Sequence, residues 1–127
     1  MPSERRELPV TRSGKTKKIH LHYVQDKTPK DLKIYVTTGE YEDGQPGEVF
    51  LKADKAGSTI SGLLDALSIT MSLGLQYGVP LQKILDKLVN LRFEPKGTTD
   101  DPDMPRVCSI VDAVAKWLAA RYPTVSG

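Results

Sequence analysis

Between Gly57 and Gly78 the chain is apolar on almost every side of a helix, and this constrains the fold more than any other stretch. Ile60, Leu63, Leu64, Leu67, Ile69, Met71, Leu73 and Leu75 leave little polar face, and the residues between them are mostly small hydroxyls apart from Asp65 and Gln76. A helix of this kind is expected to be buried on several sides. Gly62, Ala66 and Gly74 let another backbone approach closely. The helix should end at Tyr77-Gly78, with Gly78 in the left-handed conformation, and Pro80 suits the first turn of the next helix. A few strands and two helices do not cover so apolar an element. A homodimer or higher symmetric oligomer is therefore expected.

The preceding residues have the period of strands. Ile19, Leu21 and Tyr23 alternate with His20, His22 and Val24; Leu32, Ile34, Val36 and Thr38 with Lys33, Tyr35 and Thr37; Val49, Leu51 and Ala53 with Glu48, Phe50 and Lys52. The links Gln25 to Asp31 and Glu42 to Gly47 are short, which suits an antiparallel meander. Leu81, Ile84, Leu85, Leu88 and Val89 form the inward stripe of a second helix. A polar loop from Pro95 to Pro105 follows. A third helix carries Val107, Ile110, Val111, Val114 and Leu118 on one face, with Asp112, Lys116 and Arg121 elsewhere. The expected fold is α+β: a small antiparallel sheet of about three strands, followed by two or three helices packed on one face.

The 127 residues make one domain. Net charge is +2, but residues 1–18 hold six basic groups against two acidic ones, and the remainder is slightly acidic. With Pro2, Pro9, Ser13 and Gly14 interrupting it, the segment 1–18 reads as an extended basic arm before a domain over 19–127. The arm either stays solvated or wraps a neighbouring subunit or anionic ligand. No run reaches the roughly 18 residues read as a bilayer-crossing helix, and no apolar region follows the N-terminal charges as in a secretory signal. A cytoplasmic protein without membrane attachment is expected, and nucleic acid is not indicated as a partner.

Two segments are candidates for ligand chemistry. Lys52-Ala53-Asp54-Lys55-Ala56-Gly57-Ser58-Thr59 delivers a strand into a helix N-terminus, where unpaired N–H groups suit an anion. Gly57 allows close approach, Ser58 or Thr59 either caps the helix or donates to a phosphate oxygen, and Lys55 adds charge. The ending lacks the Gly-Lys-Thr of a hydrolytic phosphate loop. In the second segment Arg92 offers two parallel hydrogen bonds to a phosphate or carboxylate, and Phe93 a face on which a base can stack. Asn90 either reads a base edge or closes the helix. The alternative is structural: Phe93 fills the core while Arg92 pairs with Glu94 or the Asp100-Asp101 loop. A shared cleft for both segments is the expectation to test.

Other signals are weaker. His20 and His22 lie on one strand face, but no third ligand is evident, so no metal is assigned. Asp100, Asp101 and Asp103 lack the remaining pattern of a calcium loop. The single cysteine, Cys108, falls beside an inward stripe and reads as a buried structural thiol. Trp117 lies beside the same stripe.

Read together, Gly39-Glu40-Tyr41-Glu42-Asp43-Gly44-Gln45-Pro46-Gly47-Glu48-Val49-Phe50, Lys55-Ala56-Gly57-Ser58-Thr59 and Arg92-Phe93-Glu94-Pro95-Lys96-Gly97-Thr98-Thr99 closely resemble the accessory domain near the C-terminus of adenosylcobalamin-dependent (class II) ribonucleotide reductases, the TSCPD domain. The likeness runs from Arg6-Glu7-Leu8-Pro9 to the Trp117 helix, and it implies a setting in deoxyribonucleotide metabolism. The reductase resembled needs a large barrel and a redox cysteine pair, which one domain with one thiol cannot supply. The chain is thus expected to be a non-catalytic relative without a cofactor, binding a nucleotide-like anion or a separate reductase subunit. The competing readings are an oligomeric protein of viral origin that sequesters a signalling nucleotide, and a purely structural oligomer.

Overall fold

The computed structural model describes residues 4–123. In chain order the elements are β1 (Thr16–Gln25), β2 (Thr28–Glu40), β3 (Pro46–Ala53), α1 (Ser58–Gln76), α2 (Leu81–Leu88), β4 (Gly97–Thr99), β5 (Arg106–Val107) and α3 (Ile110–Arg121). The α+β class and the antiparallel meander are those expected from the alternation. The sheet, however, has five strands in the order β3-β2-β1-β4-β5 instead of about three. The two additional strands come from the segment read as a polar loop, and at three and two residues they are too short to show a period. Gly97 permits this pairing, because a Cβ there would meet the His22 carbonyl oxygen at 2.0 Å. The β1–β2 link is also tighter than the sequence suggests: Asp26 and Lys27, both at positive φ, turn the chain between Gln25 and Thr28.

Alternation gives the sheet two unlike faces. Ile19, Leu21, Ile34, Val36, Val49 and Leu51 are buried with Leu64, Met71, Leu85, Val114 and Leu118. His20, His22, Lys33, Tyr35, Phe50 and Lys52 belong to the opposite, open face.

α1 is buried on one side instead of several: Leu64, Met71 and Leu75 face the core together with Ser68 and Gln76. Edge strand β3 would leave its outer N–H and C=O groups without partners, and α1 runs antiparallel along it to supply them. Ser68 Oγ accepts from the Leu51 N–H at 2.9 Å. Ser72 Oγ accepts from the Val49 N–H at 3.0 Å and donates to the Val49 carbonyl at 3.2 Å. Gln76 Nε2 donates to the Gly47 carbonyl at 2.9 Å. Four helical residues rise about 6 Å and two strand residues about 6.6 Å, so every fourth helix position stays in step with every second strand position. The hydroxyls thus face inward and protect the sheet edge, while Leu63 (67% exposed), Ile69 (62%) and Leu73 (45%) face outward. By length and composition α1 also reaches the bilayer-crossing threshold that the sequence reading found unmet, since Asp65 is its single charged residue. Gly78 ends the helix at φ +95°, as expected.

At its C-terminal end α3 is latched to the sheet. Tyr122 Oη donates to Glu40 Oε2 at 2.5 Å and lies 2.7 Å from Thr38 Oγ1. Burial, then the bond to Glu40, pushes the phenol up to about 12. Tyr122→Phe should lower stability by about 1–2 kcal/mol in a urea titration, the low end for a bond to a charged acceptor because the pair is only part-buried.

Candidate functional site

The Asn90–Phe93 corner is fixed through its backbone. Asn90 adopts φ +67°, leaving the path of α2, and its N–H donates to Asp112 Oδ1 at 2.6 Å. The Leu91 carbonyl accepts from Ser109 Oγ at 2.6 Å, and the Phe93 N–H donates to the Cys108 carbonyl at 3.1 Å. These bonds turn the Arg92 and Phe93 side chains outward: Phe93 is 41% exposed, and Arg92 is exposed and forms no ion pair among the described residues. The structural alternative of Phe93 in the core and Arg92 on its own acidic loop therefore does not hold. Of the two roles considered for Asn90, the conformation fits helix closure.

The residue that organises this corner is Asp112, which stands apart from the apolar stripe of α3 in the sequence. Asp112 is fully buried. Its carboxylate accepts from the N–H groups of Asn90 and Cys108 (2.6 and 2.8 Å) and from Lys116 Nζ (2.8 Å). Its own N–H donates to Ser109 Oγ at 3.0 Å, capping α3. Burial drives the carboxyl upward, but the Lys116 bond and the two backbone donors outweigh it and hold Asp112 below the usual carboxylate range. The missed signal was Ser109-x-x-Asp112 ahead of an apolar run, the pattern of a capped helix start. Cys108 is half-buried, not fully buried. Cys108→Ser should shift the thermal midpoint by only a few degrees, since the backbone of this residue makes the bonds and its thiol does not.

A cleft of about 730 Å³ lies between the β1–β2 hairpin end, the start of α1 and the segment after the corner. Lys55 and Gly57 line it from one side, Glu94, Pro95 and Lys96 from the other. Of the residues singled out in the sequence only Lys55 and Gly57 line it; Ser58, Thr59, Asn90, Arg92 and Phe93 do not, and the second segment contributes only the residues that follow the corner. Gly57 is the N-cap of α1, and no side chain caps the helix. Ser58 therefore does not play the capping role considered for it. Lys55 is held at φ +58°. The lining mixes Lys33, Lys55 and Lys96 with Asp26, Asp31, Asp54 and Glu94, so the charge is not uniformly positive.

On the open face, three strands bring titratable groups together. His20 and His22 stack with ring centroids 4.3 Å apart. Asp100, just beyond β4, reaches both: Oδ1 lies 2.9 Å from His22 Nε2, and Oδ2 lies 3.4 Å from His20 Nδ1. Asp31 on β2 lies 2.5 Å from His20 Nε2. Asp100, 78 residues from His22 in the chain, thus supplies a third donor atom beside the two imidazoles, which was not evident in the sequence.

Residues 1–3 of the expected basic arm lie outside the described residues; of the basic side chains that follow, those of Arg5, Arg6, Arg12 and Lys17 contact the rest of the chain. The Arg6 N–H donates to the Gln76 carbonyl at 2.8 Å, and its guanidinium sits 3.7 Å above the Tyr41 ring. Arg5 Nε donates to the Gln76 side chain. Arg12 pairs with Glu48 at 2.6 Å, and Lys17 with Asp101 at 3.1 Å.

The TSCPD domain model matches residues 6–122. The chain belongs to the TSCPD-domain family. A vitamin B12-dependent ribonucleotide reductase of Streptomyces clavuligerus is 52% identical over 88 residues, covering 69% of this chain and 9% of the relative. Reductases of the same description from Rhodopirellula baltica and Bradyrhizobium diazoefficiens are each 38% identical, over 93% and 94% of this chain and 11% and 9% of the relatives. The TSCPD domain here thus corresponds to roughly a tenth of these larger enzymes. No solved structure matches. Among the described residues the sheet is open, with β3 and β5 at its edges, and the chain's single cysteine allows no redox pair. Among its described residues this TSCPD chain thus holds neither a closed barrel nor a redox cysteine pair.

Proposed function

We propose that the chain is an accessory module of a B12-dependent ribonucleotide reductase system, docking a reductase polypeptide through the outer face of α1. The supporting observation is the stripe of Leu63, Ile69 and Leu73, which stays exposed although the inner face of the same helix is fully engaged with β3. Exposed Phe50 of β3 and Ile69 also line an apolar groove of about 490 Å³. An apolar surface of this kind marks a protein contact. The relatives point to its occupant, because in them the matching segment is embedded in a reductase chain roughly ten times longer. The test is a calorimetric titration of this chain into the Streptomyces clavuligerus reductase truncated to remove the matching segment. Saturable micromolar or tighter binding is expected; no heat at high concentration would contradict docking. A second copy competing for the face would instead show as a dimer in sedimentation of the chain alone.

A second reading rests on the cleft. There the uncapped start of α1, marked by Gly57, lies with Lys55 and Lys96 and suits the phosphate end of a nucleotide-like anion. Asn90, Arg92 and Phe93 lie outside its lining and take no part in this reading. The acidic lining confines an anion to the helix end. A thermal-shift series with deoxynucleotides and cyclic nucleotides separates a reductase-linked ligand from nucleotide sequestration, and no shift with either would remove this reading.

A further inference from the structure

We propose that His20, His22 and Asp100 form a binding site for a divalent transition metal of zinc type on the open face of the sheet. The chain contains only two histidines, and the register brings both to one carboxylate. One donor atom from each of the three residues lies within 4.8 Å of the others. Tetrahedral zinc bonds of about 2.0–2.2 Å place donors roughly 3.3–3.5 Å apart; Asp100 turns one oxygen to each histidine, at 2.9 and 3.4 Å, and side-chain adjustment within the 4.8 Å cluster brings the donors to that spacing. Two imidazoles and one carboxylate are the donor set of tetrahedral zinc sites with an open position and of octahedral sites with a facial triad.

The surroundings favour the same assignment. Asp31 lies 2.5 Å from His20 Nε2, the nitrogen opposite the one that faces Asp100. If Nε2 carries the proton, Asp31 accepts it and Nδ1 is left with a free lone pair directed at the cluster. This is the carboxylate–histidine–metal relay that orients metal-bound imidazoles. With neutral imidazoles, Asp31 and Asp100 leave two negative charges that a divalent cation offsets. Lys33, opposite His20 in the register, opposes it with one positive charge. The two histidines stand on β1 and Asp100 directly follows β4, which the ladder pairs with β1, so the three positions are close before the metal arrives. His20 is the least exposed member, its side chain being 27% exposed, and Asp100 at 68% leaves the remaining coordination positions open to water.

The test uses untagged, chelator-treated full chain titrated with zinc chloride at neutral pH in a calorimeter. A single saturable equivalent is expected. His22→Ala and Asp100→Asn should weaken it by well over tenfold. Asp31→Asn should weaken it by roughly 10–100-fold, the effect of removing an outer partner of a metal-bound histidine. Cys108→Ser should bind as wild type. Cobalt(II) in place of zinc should give visible absorption bands that His22→Ala abolishes. Circular dichroism melts of the metal-free proteins separate a lost site from a lost fold, and Asp100→Asn, at an exposed position, is the variant that must fold normally. Absence of saturable zinc binding, or binding that survives both ligand substitutions in folded protein, would overturn the proposal and leave the cluster as a set of ion pairs.

Discussion

Replacing Asp112 with alanine should cost the fold about 3–5 kcal/mol, the range for removing one partner of a buried, hydrogen-bonded charge pair. The substitution leaves the N–H groups of Asn90 and Cys108 and the Lys116 ammonium without their acceptor. It also unties the Asn90–Phe93 corner from the start of α3. Asp112→Asn should recover only part of the loss, because its amide nitrogen would face a donor. The effect carries a pH signature. A carboxyl held below its usual range contributes stability that is complete above the unfolded value, about 3.9 for aspartate, and is lost as pH falls through the folded value. Urea titrations should therefore show a constant gap between wild type and Asp112→Ala near neutral pH, closing as the medium becomes more acidic than about pH 4. A gap independent of pH would show that the carboxylate charge is not what binds the corner.

The paired substitution Ser68→Ala with Ser72→Ala tests the seam between α1 and β3. Each lost hydroxyl strands backbone groups of the strand edge: the Leu51 N–H in one case, the N–H and carbonyl of Val49 in the other. An unsatisfied buried group costs about 1–3 kcal/mol, so the double variant should lose about 2–5 kcal/mol, without strict additivity because the sites are neighbours on one seam. The variant should also associate more readily, since an unpaired edge is a template for strand addition. Thr70→Ala is the control. Its hydroxyl donates only to the Ala66 carbonyl within α1 on the exposed side, and its loss should leave stability nearly unchanged. Equal behaviour of the control and the double variant would remove the seam as a source of stability.

The parts of the fold legible in the sequence were those with a sustained period. Three strands of eight residues or more and the glycine stop after α1 could be read directly. β4 and β5 could not, because pairs and triplets carry no period and their place depends on the missing Cβ of Gly97. In α1 the count of apolar residues was read correctly but not their direction. Serines look like gaps in an apolar helix until a strand edge supplies donors for them, so Ser68 and Ser72 join Leu64, Met71 and Leu75 on the inner side while Leu63, Ile69 and Leu73 stay outside. The same limit applies to the site. Lys55 and Gly57 do share a cleft with the segment following Arg92 and Phe93, but the side chains singled out at the corner point elsewhere because its backbone is held by Asp112, Ser109 and Cys108. The His20–His22–Asp100 cluster depends on register between β1 and β4, which no local pattern encodes.

The docking of α1 is tested most directly by substituting Ile69→Asp together with Leu73→Asp and repeating the titration against the truncated reductase. Both side chains are exposed in the free chain, so the variant should melt at or near the wild-type temperature. Placing two charges at the centre of an apolar contact should then weaken binding by a hundredfold or more, about 2.7 kcal/mol or above. A folded variant that binds the truncated reductase as tightly as wild type would contradict the account.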